Sequence, residues 1–173
     1  MLQFYTVKMK YVRNLMNVAH GNIMSVSSQH RKNKRIFVGI IVMVNEHQYC
    51  IPLSSVEEKP KYQKISNNIT LRKITNKTGR VIGVLNINNM IPVRKEYLMP
   101  FDLKIYPTDN EKQRRYKEHC AEELQWCNEH ENEIIMLARD LHRMVCSGQP
   151  FKKRGICPDY RLLEKECDKA KQL

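Results

Sequence analysis

Residues 36–55 read Ile36-Phe37-Val38-Gly39-Ile40-Ile41-Val42-Met43-Val44-Asn45-Glu46-His47-Gln48-Tyr49-Cys50-Ile51-Pro52-Leu53-Ser54-Ser55. Ile36 to Val44 is nearly all apolar and rich in β-branched residues, which predicts a strand buried on both faces. Asn45-Glu46 interrupts the run, and His47 to Leu53 resumes as a second strand. If the interruption is a two-residue turn, Val44 pairs with His47 and the register carries Ile36 opposite Ser55. Asn-Glu is not a favoured primed-turn pair, so a longer loop would slip this register by a residue or two without separating the same neighbours. Lys34 and Arg35, just before the first strand, then stand beside Ser54 and Ser55, and His30 adds an imidazole. The segment after Ser55 contributes Lys59, Lys61 and Lys64.

Outward from this hairpin, Leu2 to Val7 predicts a short strand. Lys8 to His20 predicts a helix with Met9, Val12, Leu15, Met16 and Ala19 at helical spacing, stopped by Gly21. Asn22 to Lys34 and Ser54 to Asn68 are polar loops. Ile69 to Ile74 and Arg80 to Ile87, joined by Asn76-Lys77-Thr78-Gly79, form a second hairpin. Met90 to Val93 is a last short strand, placed at an edge by Pro92. From Thr108-Asp109-Asn110-Glu111, read as a capping box, the chain turns helical. The polar run Asn128 to Glu133 splits the helix in two, and Gly148 ends the second half. Phe151 to Gly155 is a basic loop, and Pro158 opens a final helix. The expected fold is α+β: a small, mostly antiparallel sheet wrapped by helices. It forms one domain over residues 1–173, with a β-rich part containing one helix over 1–107 and a helical part over 108–173.

The 173 residues carry 30 Lys and Arg against 18 Asp and Glu, a formal charge of +12, with a pI near 9.5. Residues 1–110 hold 17 of those basic residues and only six acidic ones, so nearly all of the excess lies there. A directed basic surface of this kind fits a polyanion, most commonly nucleic acid. The longest apolar run, Ile36 to Val44, is far short of the roughly 20 residues of a membrane span. No signal-peptide pattern opens the chain, so a cytoplasmic protein with no membrane partner is expected. Six cysteines without a Cys-x-x-Cys pair read as buried thiols rather than a disulfide framework. Cys120, Cys127 and His130 share a helical stripe but offer no fourth ligand, so no metal site is expected.

Two hydroxyls, strong cations and an imidazole at one end of a sheet suit the cleavage of a phosphodiester. Arg and Lys neutralise the non-bridging oxygens, serines donate hydrogen bonds, and His or Lys moves protons. In RNA the 2′-OH is the nucleophile, so no metal-bound water is needed. A two-metal nuclease would want a carboxylate cluster, and near the serines there are only Glu57 and Glu58. Each element also has a plainer reading: adjacent serines are often turn residues, and Arg31-Lys32-Asn33-Lys34-Arg35 can be a solvated or phosphate-binding loop. Tyr5 and Tyr49 alternate within strands and read as core. Residue types alone therefore reach nucleic-acid binding. A non-catalytic RNA- or DNA-binding module and a metal-dependent nuclease stay open beside metal-free cleavage.

Order and spacing narrow this further. Phe4-Tyr5-Thr6 followed by Tyr11, then Phe37-Val38-Gly39-Ile40 and Tyr49-x-x-Pro52-Leu53-Ser54-Ser55, lead into Ile82-Gly83-Val84-Leu85-Asn86 and Met90-Ile91-Pro92-Val93. A helical C-terminus with Leu162-Leu163-Glu164 closes the pattern. It resembles the ToxN/AbiQ endoribonucleases, toxins of type III toxin–antitoxin systems active in antiviral defence, with the CptN branch nearest. The resemblance implies an SH3-like barrel related to MazF/PemK, elaborated with N- and C-terminal helices. It implies metal-independent, sequence-specific RNA cleavage to 2′,3′-cyclic phosphate and 5′-OH ends, with no cofactor. It implies as partners cellular and phage RNA substrates and a pseudoknot antitoxin RNA, cut by the toxin from a repetitive precursor and closing with it into a head-to-tail ring.

By position, Ser54 and Ser55 match the family's hydroxyl pair, Arg35 its basic residue before the Phe-x-Gly strand with Lys34 beside it, and Tyr11 its early tyrosine. A loop tyrosine of the family is missing, and His30 or Arg31 stands in that region. A lysine after the hydroxyl pair is displaced by Val56-Glu57-Glu58, leaving Lys59 or Lys61 to substitute. The expected catalytic set is thus Ser54, Ser55, Arg35, Lys34 and His30. The expected RNA-binding set is Tyr11, Arg31, Lys32, Lys59, Lys61, Lys64, Lys77, Arg80, Lys152, Lys153 and Arg154.

Overall fold

The computed structural model describes residues 1–19, 38–56 and 61–169. The central hairpin forms as its sequence predicts. Strand β2 (Val38–Val44) pairs antiparallel with β3 (His47–Ser55), with Val44 opposite His47 and Gly39 opposite Pro52. The turn holds at two residues because Asn45 takes φ +52°, a conformation that asparagine tolerates better than most side chains. Gly39 is needed for space: a Cβ there would strike the Ile51 carbonyl and the Cys50 sulfur across the pair.

Strand β1 (Phe4–Val7) lies on the far side of β2. Beyond Ser55's strand, β4 (Arg72–Thr75) and β5 (Val81–Leu85) form the second predicted hairpin, with Gly79 at φ +79° in its turn. Strand β6 (Ile91–Val93) pairs β3 over Gln48–Cys50, and β5 pairs the same edge of β3 further on, over Leu53–Ser55. β3 therefore organises the sheet. β2 covers one of its edges for most of its length, and the other edge is shared between β6 and β5. A seventh strand, β7 (Leu98–Pro100), pairs with β1, so β6 is not the last strand. All these pairings are antiparallel, in the order β4-β5-β3-β2-β1-β7 with β6 beside β3.

Among the described residues five α-helices pack around this sheet. Helix α1 (Met9–Val18) buries Tyr11, Val12 and Leu15 on one stripe. A short α2 (Lys61–Lys64) falls inside what the sequence reads as loop. Helices α3 (Glu111–Glu129) and α4 (Glu131–Cys146) break at His130, within the predicted polar run, and α5 (Tyr160–Lys169) is the final helix. The capping box belongs to Asn110, not Thr108. Its side chain accepts from the Gln113 amide at 2.9 Å while the Gln113 side chain accepts from the Asn110 amide at 2.9 Å. Sheet and helices share one core, in which Phe4, Ile40, Tyr49, Ile51 and Leu85 meet Trp126, Ile134, Leu141, Tyr160 and Leu163. All six cysteines are free thiols, and five of them are buried. No helix among the described residues is long and apolar enough to cross a membrane.

Candidate active site

Ser54 and Ser55 are the last two residues of β3, both half-buried, and they are strand rather than turn residues. β5 holds them: Ser54 pairs with Val84 and Ser55 with Gly83. Because paired residues share a face, the two hydroxyl groups point to opposite sides of the sheet.

On Ser54's side, buried Asn86 donates from Nδ2 to Ser54 Oγ at 3.0 Å, and the Asn86 amide donates to the Pro52 carbonyl at 2.9 Å. This fixes the Ser54 oxygen as an acceptor and leaves its O–H as the group to donate. Tyr62, Leu71 and Val84 form a small apolar cluster on this side. Lys73, paired with Val84, anchors its ammonium on the Gln63 carbonyl of α2 at 2.7 Å.

On Ser55's side the neighbour is α3. Gly83 has no side chain, and the space its Cβ would fill is taken by the carboxylate of Glu123. Glu123 is buried, and its Oε1 lies 3.4 Å from Nε2 of the partly exposed His119. Burial pushes the Glu123 carboxyl above its usual range, and the hydrogen bond and charge of His119 pull it partly back.

The other predicted cations divide. Lys77 and Arg80 are exposed in the β4–β5 turn, at the end of the sheet where β3 finishes. Lys64 is exposed at the end of α2, and Lys61 begins that helix. Lys152 is exposed, Lys153 half-buried, and Arg154 is tied to the Gln149 carbonyl at 3.0 Å. Their loop docks near the end of β5, since Asn88 donates to the Ile156 carbonyl at 3.0 Å. His30, Arg31, Lys32, Lys34, Arg35 and Lys59 lie outside the described residues.

Tyr11 is a correction. It is buried, it stacks on Tyr97 with centroids 4.2 Å apart, and its hydroxyl donates to the Pro92 carbonyl at 2.7 Å. Burial raises its pKa far above the ordinary phenol value. Tyr11 braces α1 against β6 and has no face left for a base. Tyr49, read as core, is fully buried. Among the described residues no three His, Cys, Asp or Glu side chains gather as metal ligands. His130 stacks on Trp126 instead and donates from Nδ1 to its carbonyl at 2.8 Å.

A family model described as Toxin ToxN, type III toxin–antitoxin system, matches residues 3–168. The chain belongs to the ToxN family. Endoribonuclease ToxN of Bacillus thuringiensis subsp. kurstaki is 24% identical to it over 98% of this chain and 84% of the relative. The structure of AbiQ, a lactococcal anti-phage endoribonuclease of a type III system, superposes with TM-score 0.78 at 21% identity, covering 100% of this chain and 99% of that one. A bacterial type III toxin structure, described for selective toxin inhibition by a non-coding RNA pseudoknot, gives TM-score 0.78 at 23% identity over 99% of each chain. These likenesses establish the α+β fold, a seven-stranded antiparallel sheet with helices, as the ToxN/AbiQ architecture.

Within this ToxN-family chain, Asn86, Lys73, His119 and Glu123 border the serines without having been singled out in the sequence. Asn86 was quoted there only as part of the Ile82-Gly83-Val84-Leu85-Asn86 run. The i, i+4 spacing of His119 and Glu123 is visible in the sequence. What the sequence does not reveal is that this helix face docks on the Ser55–Gly83 pair.

Proposed function

We propose that this protein cleaves RNA at the Ser54–Ser55 end of its sheet by in-line attack of the neighbouring 2′-oxygen, without a metal ion. The products would be 2′,3′-cyclic phosphate and 5′-OH ends. By homology the chain is an endoribonuclease of the type III toxin–antitoxin, anti-phage class. The observation that carries the site is the pairing of Ser54 with Val84 and Ser55 with Gly83, which fixes one hydroxyl on each face of the strand end bordered by the exposed Lys77 and Arg80. Ser55 orients the scissile phosphate, Ser54 adds from the other face of the strand end a donor oriented by Asn86, and Arg35 and Lys34 neutralise the developing charge. His30 or a lysine of the following segment handles protons, and Lys64, Lys77, Arg80 and the 152–154 turn track the backbone. The sharing of β3's edge between β6 and β5 supports an SH3-like barrel, and the common core of sheet and helices supports one domain over 1–173. The family resemblance supports a bacterial, cytoplasmic toxin. It also supports an inhibitor that is a pseudoknot RNA, which the toxin processes and with which it closes head to tail.

Ser55→Ala tests the site. Removing one transition-state donor lowers the rate by about 10²–10³, so the variant loses cleavage in EDTA while RNA binding persists. Wild-type cleavage by Ser55→Ala would put the chemistry elsewhere. Cleavage only after Mg²⁺ is added back would replace the metal-free step. Binding without cleaved ends in the wild type would leave a binding module.

A further inference from the structure

We propose that His119 and Glu123 of α3 are the proton-handling pair of this site, His119 as the acid that meets the RNA and Glu123 as the residue that positions it; this rests on the Ser54–Ser55 reading above.

Three observations carry it. Ser55 and Gly83 are directly opposed, so their Cβ positions share a face about 4.5–5.5 Å apart. The Gly83 position is filled by the Glu123 carboxylate, which puts that carboxylate next to the Ser55 side chain. His119 reaches the same carboxylate from one helical turn away and keeps 29% of its side chain exposed. A buried carboxylate behind a solvent-reaching imidazole is the arrangement that orients a histidine and favours its protonated form. A phosphodiester seated on Ser55 lies beside that imidazole.

Burial and pairing occupy several neighbours of the pair. Cys120 and Cys127 on the same helix are held as neutral thiols by burial. Glu122 adjoins it in sequence and pushes the Glu123 carboxyl up slightly. From the sheet, Arg72 shares the Gly83 face, but its guanidinium is committed to Glu133 of α4 at 2.6 Å.

In the step itself the 2′-oxygen attacks phosphorus and the bond from phosphorus to the 5′-oxygen breaks. The 2′-hydroxyl proton leaves to water. The departing 5′-oxygen takes its proton from His119. Ser55 holds the phosphate and does not exchange protons.

Cleavage of a mixed-sequence RNA in EDTA, followed from pH 5 to 9, tests the pair. His119→Gln lowers kcat by about 10²–10⁴ with KM nearly unchanged and removes the alkaline limb of the pH profile. Glu123→Gln keeps that limb but moves it to lower pH, because the imidazolium has lost its counter-charge. Added imidazole restores part of the activity of His119→Ala, which a loss of packing would not allow. Wild-type kcat and pH profile in His119→Gln, with Ser55→Ala inactive, overturn the pair and leave the site standing. Full activity in both variants overturns the site reading itself. Should His119→Gln fail to fold, an unmoved alkaline limb in Glu123→Gln overturns the pair.

Discussion

A carboxylate seated where a glycine leaves room is costly to keep charged, and Glu123 carries that cost in the folded state. Burial holds its carboxyl above the ordinary range and His119 offsets only part of the rise. A raised folded-state pKa means that the native protein keeps the proton to higher pH than the unfolded chain does. Stability from this group is therefore fully present below the unfolded value, about 4.3, and declines as pH rises through the folded one. Glu123→Gln should gain stability relative to wild type as pH climbs from 4 to 7, while losing activity. Urea melts at the two pH values check the sign. The same contact makes Gly83 sensitive to size rather than to backbone conformation. Gly83→Ala drives a methyl into the carboxylate and should cost about 1–3 kcal/mol, as overpacking does. In the Glu123→Ala background that penalty should shrink, and a double-mutant cycle measures the difference as coupling between the two positions.

At the scale of elements, the opposite end of the central hairpin is held by a polar knot joining β3, α4 and α5. Glu164 Oε1 accepts from Tyr49 Oη at 2.7 Å and from His142 Nε2 at 2.8 Å, and His47 Nδ1 lies 3.7 Å away. Asn45 Nδ2, at the hairpin tip, lies 3.4 Å from His142 Nδ1 on the other side of that ring. Burial alone would raise the Glu164 carboxyl, but the hydrogen bonds from His142 and Tyr49 and the nearby histidine charges leave it below its usual range. A depressed carboxyl stabilises the fold above the unfolded pKa and stops doing so as pH falls through the folded value. Glu164→Gln should lose roughly 1.5–3 kcal/mol at pH 7, the scale of a hydrogen bond to a charged group. The gap from wild type should close in acid, as read from urea midpoints at pH 7 and pH 3. Local pattern announces some of these elements and not others. The β2–β3 hairpin was legible because Val44-Asn45-Glu46-His47 allows few registers once both strands are apolar, and Gly79 marked the second hairpin just as plainly. Strand β7 and helix α2 span three and four residues, too few for any period to show. The hydroxyl pair could be placed from the hairpin register. Glu123 lies far along the chain, and only the docking of α3 on β5 brings it to Ser55. Tyr11 was expected to meet RNA because it falls at the position of the family's early tyrosine, yet its helical stripe with Val12 and Leu15 turns it inward.

For the whole molecule the deciding quantity is the uneven charge. Residues 111–173 hold 13 basic and 12 acidic residues, against 17 and six in residues 1–110. In the helical part several of the basic groups are already matched: Arg115 pairs with Glu111, Arg143 with Asp140 at 2.7 Å, and Lys169 with Glu166 at 3.1 Å. Lys77 and Arg80, by contrast, stand exposed in the β4–β5 turn at the serine end of the sheet. A phosphate backbone drawn across that end displaces counterions as each cation engages it, so affinity for single-stranded RNA should fall steeply with salt. The slope of log K against log salt is about −0.7 per phosphate contact. Replacing Lys77 and Arg80 together by glutamine should therefore weaken binding at low salt and flatten that slope by about 1.4. Replacing Arg115 and Arg143 should leave it nearly unchanged. Titrations of RNA into each variant across salt concentration compare the two slopes directly. Equal slopes for both pairs, or a flat response in the wild type, would mean that RNA does not cross the sheet end where Ser54 and Ser55 lie.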